Sequence, residues 1–298
     1  MPYVSILEVN ERHLSVDPPP FLVLQNSMKH AVCNEMFGTM EFSRAANMLA
    51  EEGFTGIEVA PYTLFGDFSA EAVRRGGAAL RAGLASSGLA FVGFHWIFGG
   101  PEFLHFTSPD AASRKKAADR LEFLLDMAGD LGGGVIVFGS PKERASGGAP
   151  REDALSRLGE GLAAAAARAE KAGCRILLEA LPSSVTDTVN TLGEAEKIIR
   201  AIGRPGVSGM FDFDNTADET ESWDGLIARY WDIIQHVHIR GRKGEPLVPG
   251  TEADYRPAFS VLRSRGFAAW VSLEIFTVPH DPRKVLRETL GFLKEVAS

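Results

Sequence analysis

Four apolar runs in the second half of the chain each stop at a residue able to hold a cation or move a proton. RILL ends at Glu179, VSGMF at Asp212, IIQHV at His238 and WVSL at Glu274. The intervals are 33, 26 and 36 residues. Singly, each carries little. A glutamate after an apolar run is more often a helix cap or a surface carboxylate, and a lone histidine is more often a hydrogen-bonded core residue. Together they pose an electrostatic problem, because three carboxylates buried in one place repel one another and lose their hydration. A divalent cation resolves it. Three carboxylates and one imidazole suit Mn2+ or Mg2+, with Co2+ as an alternative, and the lack of a thiolate argues against structural zinc.

The third run continues as IIQHVHIRGR over Ile233–Arg242. Side chains alternate along a strand, so His236, His238 and Arg240 share one face. With His238 on the cation, His236 lies one layer deeper as a supporting or core histidine. Arg240 stands one layer above, where it can grip substrate oxygens. Arg242, further out, reads equally as a solvated loop residue.

Elements of one kind must bring these positions to one height. Strand candidates are Ala31–Glu35, Gly56–Val59, Ala90–Phe94, Val135–Phe138, Arg175–Leu178, Val207–Phe211, Ile234–His238 and Ala269–Leu273. Helical segments alternate with them: Met40–Glu52, Ala70–Ser87, Ala112–Leu131, Arg151–Ala172, Leu192–Ile202, Asp224–Trp231, Asp254–Arg265 and Pro282–Val296. Eight of each in alternation predict an α/β chain folded as a single (β/α)8 TIM barrel, whose functional face is the C-terminal end of the strands. The spacing of the four candidate ligands fits, since roughly 250 residues over eight units gives roughly 31 per unit. A doubly wound sheet would carry a glycine-rich phosphate loop after its first strand; Phe37-Gly38-Thr39 is no such loop.

Bulk properties agree. The chain has 298 residues, 45% hydrophobic and 23% charged, with a formal net charge of −8. The acidic balance argues against a broad nucleic-acid surface, though it leaves room for a local basic patch. No apolar run is long enough to span a membrane, and no signal-like start is visible. Two cysteines in no metal-like spacing point to free thiols in a reducing, cytoplasmic setting. Residues 28–298 make up the expected barrel. Residues 1–27, with the VDPPPF stretch, read as a weakly packed extension or a start assigned too early; a plug under the barrel floor is the alternative.

Motifs add to this. LLEALP (Leu177–Pro182), VNTLGEAEKII (Val189–Ile199), MFDFDNTADE (Met210–Glu219), HVHIRGR with a later Pro249-Gly250, SLEIF (Ser272–Phe276) and GFTGIEV (Gly53–Val59) form a set. With these motifs, about residues 28–295 resemble the xylose isomerase-like sugar isomerases and epimerases, including ketose 3-epimerases and hydroxypyruvate isomerases. The resemblance implies one divalent metal held by Glu179, Asp212, His238 and Glu274, and it extends a site role to Glu58. It implies a sugar or small hydroxy-keto substrate and allows a homo-oligomer. Two positions depart from the pattern. Asp214 and Asn215 stand where many members carry a histidine, and Arg240 and Arg242 stand where an acid is usual. Both fall where substrate hydroxyls would be read, Asn215 among them, so the sugar is expected to be unusual or to carry an acidic group.

The chemistry expected is proton abstraction beside a carbonyl. Metal Lewis acidity stabilises an enediolate while Glu179 and Glu274 act as an acid/base pair on its two faces. Return of the proton to the same carbon epimerises; return to its neighbour isomerises. His95, ending strand three in GFHWIF, is a candidate for a substrate oxygen, with Trp96 and Phe98 walling the pocket. Glu35 reads as a surface carboxylate, and His105 and His280 as solvated loop residues. Three other readings stay open: dehydration of a keto-polyol as in inosose dehydratases, AP-endonuclease-like hydrolysis, and a non-catalytic sugar-binding barrel.

Overall fold

The computed structural model describes residues 28–241, 246–247 and 254–296. The expected extension at 1–27, Arg242 and Pro249-Gly250 lie outside the described residues. The strands are β1 (Lys29–Cys33), β2 (Gly56–Val59), β3 (Ala90–Phe94), β4 (Gly134–Phe138), β5 (Cys174–Leu178), β6 (Val207–Asp212), β7 (Ile234–Ile239) and β8 (Trp270–Leu273). Each pairs in parallel with the next, and β1 pairs with β8, with Val32 opposite Leu273, to close the ring. The helices are α1 (Phe42–Glu51), α2 (Pro61–Phe65), α3 (Ala70–Ser87), α4 (Ala111–Asp130), α5 (Arg151–Lys171), α6 (Leu192–Ile202), α7 (Trp223–Arg229), α8 (Arg256–Ser264) and α9 (Pro282–Val296). This is a (β/α)8 barrel.

Local chemistry sets these elements. The Asp110 side chain caps α4 by accepting from the Ser113 amide at 2.8 Å, and Thr191 caps α6 by accepting from Glu194. Gly88 ends α3 at φ 71°, a left-handed conformation that costs glycine little, with its N–H on the Leu84 carbonyl. In α5, Leu158, Leu162, Ala165 and Ala169 recur at helical spacing and are buried against the barrel.

Strand bounds match expectation to within one residue except at β1, which begins and ends two residues early. The chain leaves the sheet at Asn34 and enters a 3-10 turn, Asn34–Phe37. Asn34 holds that turn, donating to Thr63 Oγ1 at 2.7 Å and accepting from the Ala60 amide at 2.7 Å.

Two apolar layers result from the alternation of side chains. Phe138, Leu178 and Phe211 point outward into the main core under the helices. Val137, Leu177 and Met210 point inward and fill the barrel as a separate cluster. Residues in step with the inner set therefore reach the axis, which directs Gly139, Glu179 and Asp212 inward above that floor. Both cysteines are free and buried. Among the described residues no helix is long and apolar enough to cross a membrane.

Candidate active site

The C-terminal rim carries a ring of buried polar groups. Glu35 follows β1, Glu58 lies in β2, and His95, Gly139 and Glu179 follow β3, β4 and β5. Asp212 ends β6, His238 lies in β7 and Glu274 follows β8. Every one of these except the glycine is a buried polar or charged residue.

Glu179, Asp212 and His238 converge, each offering a ligand atom within 4.8 Å of the other two. Asn215 sits over them, its Nδ2 donating to Glu179 Oε1 at 2.8 Å and Asp212 Oδ2 at 2.9 Å. Arg240 supplies positive charge. Its Nη1 lies 2.8 Å from Asp212 and in contact with Glu274, Nε lies 3.1 Å from Asp214, and Nη2 donates to Asn215 Oδ1. These contacts explain unlike proton affinities. Burial, then the carboxylates of Asp212 and Glu274, lifts Glu179 to about 8. Burial also acts on Glu274, but His238 and Arg240 outweigh it and hold Glu274 below the usual carboxylate range.

A chain of imidazoles and carboxylates crosses the other side. Both carboxylate oxygens of Glu35 are 2.7 Å from His95 Nε2. Glu58 accepts from His236 Nε2 at 2.8 Å and His238 Nε2 at 3.1 Å. On the opposite edge of the His238 ring, Nδ1 is buried without a hydrogen-bond partner, 3.6 Å from Glu274 Oε1. A carboxylate only accepts, so Nε2 carries the proton and Nδ1 is left for another partner. That orphaned nitrogen, beside two converging carboxylates, fits a divalent cation.

Above these groups opens a cavity of about 160 Å3. Its floor is polar: His95, Glu179, Asn215, Arg240 and Glu274. Its walls are apolar: Trp96, Pro141, Leu181, Val185 and Phe276. Trp96 takes a left-handed backbone (φ 49°), uncommon for a bulky residue, and its ring meets Phe276 edge to face at 5.9 Å.

Residues 46–296 match the family described as xylose isomerase-like TIM barrel. The chain belongs to that family. Similar solved structures include 3-keto-D-glucoside 4-epimerase YcjR from E. coli, with 20% identity, 90% of this chain and 99% of that chain covered, and a TM-score of 0.74. D-psicose 3-epimerase with D-tagatose, from Clostridium cellulolyticum H10, matches at 20% identity over 91% and 100%, with a TM-score of 0.75. An L-ribulose 3-epimerase matches at 19% identity over 91% and 94%, with a TM-score of 0.76. No curated protein sequence matches.

Within this xylose isomerase-like barrel the residues singled out in the sequence lie together at one end, with several adjustments. Glu274 is drawn to Arg240 and stands apart from the converging three. Arg240 does not stand free over the pocket but is engaged by Asp212, Asp214 and Glu274. Glu58 is fully buried beneath the cavity and does not line it. Phe98 belongs to the core, packed on Phe106 and Phe138, while Trp96 does wall the pocket. His105 is half-buried and bonded to the Ala145 carbonyl. Glu35 is no surface group: it is 8% exposed and clamps His95.

Two features of the xylose isomerase-like site escaped sequence reasoning. Gly139 follows β4 where a Cβ would strike Glu179 Oε2. Arg144, 0% exposed, lies behind Glu179 and donates to the carbonyls of Phe138 (3.1 Å), Glu179 (2.6 Å) and Val189 (3.4 Å). Burial lowers its pKa to about 10, with the Glu179 charge acting against that.

Proposed function

We propose that the protein is a divalent-metal-dependent sugar isomerase or epimerase acting on a neutral ketose or small hydroxy-keto compound. One observation carries this reading: two buried glutamates, Glu179 and Glu274, enter one cavity from walls separated by β6 and β7, in environments that drive their proton affinities apart. A pair split in this way provides a base and an acid within one site. The names of the similar structures, which are epimerases of ketoses and of a keto-glucoside, support the same reaction class.

Glu179, Asp212 and His238 would hold the ion, with Glu274 as the fourth ligand. Bound there, the ion supplies Lewis acidity toward a carbonyl oxygen and a neighbouring hydroxyl. Glu274, kept ionised, removes the proton from the carbon beside the carbonyl. Glu179, on the other wall, would deliver a proton to the opposite face. Asn215 and His95 line the floor beside the substrate, and Arg240 sets the position of Glu274. Trp96 and Phe276 exclude water and cover the apolar face of the sugar.

The substrate reading differs from the acidic sugar suggested by the arginines. Arg240 is already matched by three carboxylates, so its charge is not free for a substrate phosphate or carboxylate. A neutral polyol suits an acidic floor better.

Deuterium exchange tests the proposal. Metal-loaded protein is incubated in heavy water with ketoses, keto-glycosides, hydroxypyruvate and inosose, the metal is removed, and carbon-bound deuterium is read by NMR. Label beside a carbonyl, lost in Glu274→Gln and in Glu179→Gln, is the expected result, and the labelled carbon separates epimerase from isomerase. Release of water from inosose would move the reaction to dehydration. No exchange with any compound, on protein shown to bind metal, would sink the two-glutamate mechanism.

A further inference from the structure

Glu58 is fully buried in the barrel interior, yet it touches no part of the cavity. Three imidazoles surround it instead. His236 donates to Oε2 at 2.8 Å, His238 donates to Oε1 at 3.1 Å, and His95 Nδ1 stands 3.6 Å from Oε1. His236 and His238 come from one face of β7, one layer apart, so a single carboxylate spans both layers. His95 is clamped in turn by Glu35, whose 3-10 turn is tied down by Asn34.

We propose that Glu58 is a positioning residue: it fixes the tautomer and ring orientation of His238 so that Nδ1 is the nitrogen offered to the divalent ion. This rests on the metal-dependent reading above. The carboxylate is a pure acceptor and both histidines must donate to it, so Nε2 of His238 is protonated and Nδ1 is the only ring nitrogen that can offer a lone pair to an ion. His236 is the lock. By holding Oε2 from below, it prevents the carboxylate from turning and keeps Oε1 under His238. Nδ1 of His238 is left buried and unpartnered, as a ligand awaiting an ion would be. Glu58 does not reach the substrate.

A glutamine at this position has one acceptor oxygen where two imidazoles need two, so Glu58→Gln sets an amide N–H against one of them. The experiment uses the full-length chain and two readouts. Co2+ affinity is measured by visible absorption titration. The tautomer of His238 is read from side-chain nitrogen spectra of the metal-free, histidine-labelled protein, assigned with His238→Gln. For Glu58→Gln the expected result is Co2+ binding weakened about 10–100-fold, as for other partners of metal-bound histidines, with loss of the fixed proton on Nε2. His236→Asn, which leaves Glu58 itself in place, is expected to weaken Co2+ in the same direction by a smaller factor.

Wild-type affinity and an unchanged tautomer in folded Glu58→Gln would overturn the assignment. So would unchanged Co2+ binding with a raised KM for a sugar, because Glu58 would then touch substrate. If Glu58→Gln does not fold, His236→Asn decides by the same two readouts. A wild type that binds no Co2+ would defeat the metal-dependent reading of the whole site; the tautomer, measured without metal, would still show whether Glu58 sets His238.

Discussion

The backbone of Gly139 is packed against the carboxylate of Glu179, so closely that a methyl group at Gly139 would collide with Oε2. On seven strands the rim carries an acid or a histidine; on β4 it carries this gap. Gly139→Ala is expected to push Glu179 out of the converging group. Overpacking of this kind costs about 1–3 kcal/mol, which thermal unfolding would register as a modest shift. Divalent-ion affinity should fall by about tenfold or more, and calorimetric titration with Mn2+ measures it. Unchanged affinity would mean that Glu179 is not a ligand.

Arg240 is the buried cation among Asp212, Asp214 and Glu274. Removing one partner from such a group costs about 3–5 kcal/mol, because the remaining charges stay buried and unpaired. Arg240→Met is therefore expected to lower the metal-free melting temperature by several degrees. A divalent ion, taking over that charge, should then raise the melting temperature more in the variant than in the wild type. Calorimetry with and without Mn2+ reads both numbers. Equal metal-induced shifts would contradict the competition between guanidinium and metal for these carboxylates.

Arg144 donates to three carbonyls from distant points of the chain. Arg144→Met leaves them without that donor, and each buried unsatisfied group costs about 1–3 kcal/mol. The expected result is a variant among the least stable of those described, with Arg144→Lys recovering part of the loss through a single ammonium. Urea unfolding monitored by tryptophan fluorescence measures the order wild type, Lys, Met. If Met equals Lys, the fork of the guanidinium is not what holds this region.

The wall loop between β4 and α5 is tied to the chain after β5 by Asp187. Its carboxylate accepts from the Ser146 amide at 2.8 Å and from the Ser146 hydroxyl, and its carbonyl accepts from Arg151 Nε at 2.6 Å. The Ser146 hydrogen bonds lower the pKa of Asp187. A group with a depressed folded pKa adds stability above its unfolded value, about 3.9, and loses it as pH falls through the folded one. Asp187 is well exposed, so solvent screens the effect. Melting temperature against pH should thus fall less steeply below pH 4 in Asp187→Asn than in wild type. Parallel curves would remove Asp187 from the account.

Periodicity was enough to read most of the barrel and one half of its rim. His236, His238 and Arg240 sit on one face because strand alternation is independent of tertiary context. Glu35 was misread because β1 ends two residues earlier than its apolar run. What captures the turn is Asn34 meeting Thr63 and Ala60, a contact between segments nearly thirty residues apart that no local pattern reveals. Arg144 was missed for a similar reason, since a loop arginine ordinarily reads as solvated. Only the folded chain brings the carbonyls of Phe138, Glu179 and Val189 around it. For Arg240 the sequence indicates the face but not the company of Asp212, Asp214 and Glu274.

The pairing of β1 with β8 ties the assembly of the site to the order of synthesis. No strand can seal the ring until Leu273 has emerged opposite Val32, and the next residue is Glu274. Closure of the wall and arrival of the last glutamate are one event. A nascent chain that has made β1 to β7 lacks both the seal and its second glutamate. Such long-range closure is slow to form. It also means that a chain still on the ribosome lacks part of this rim until the ring can close.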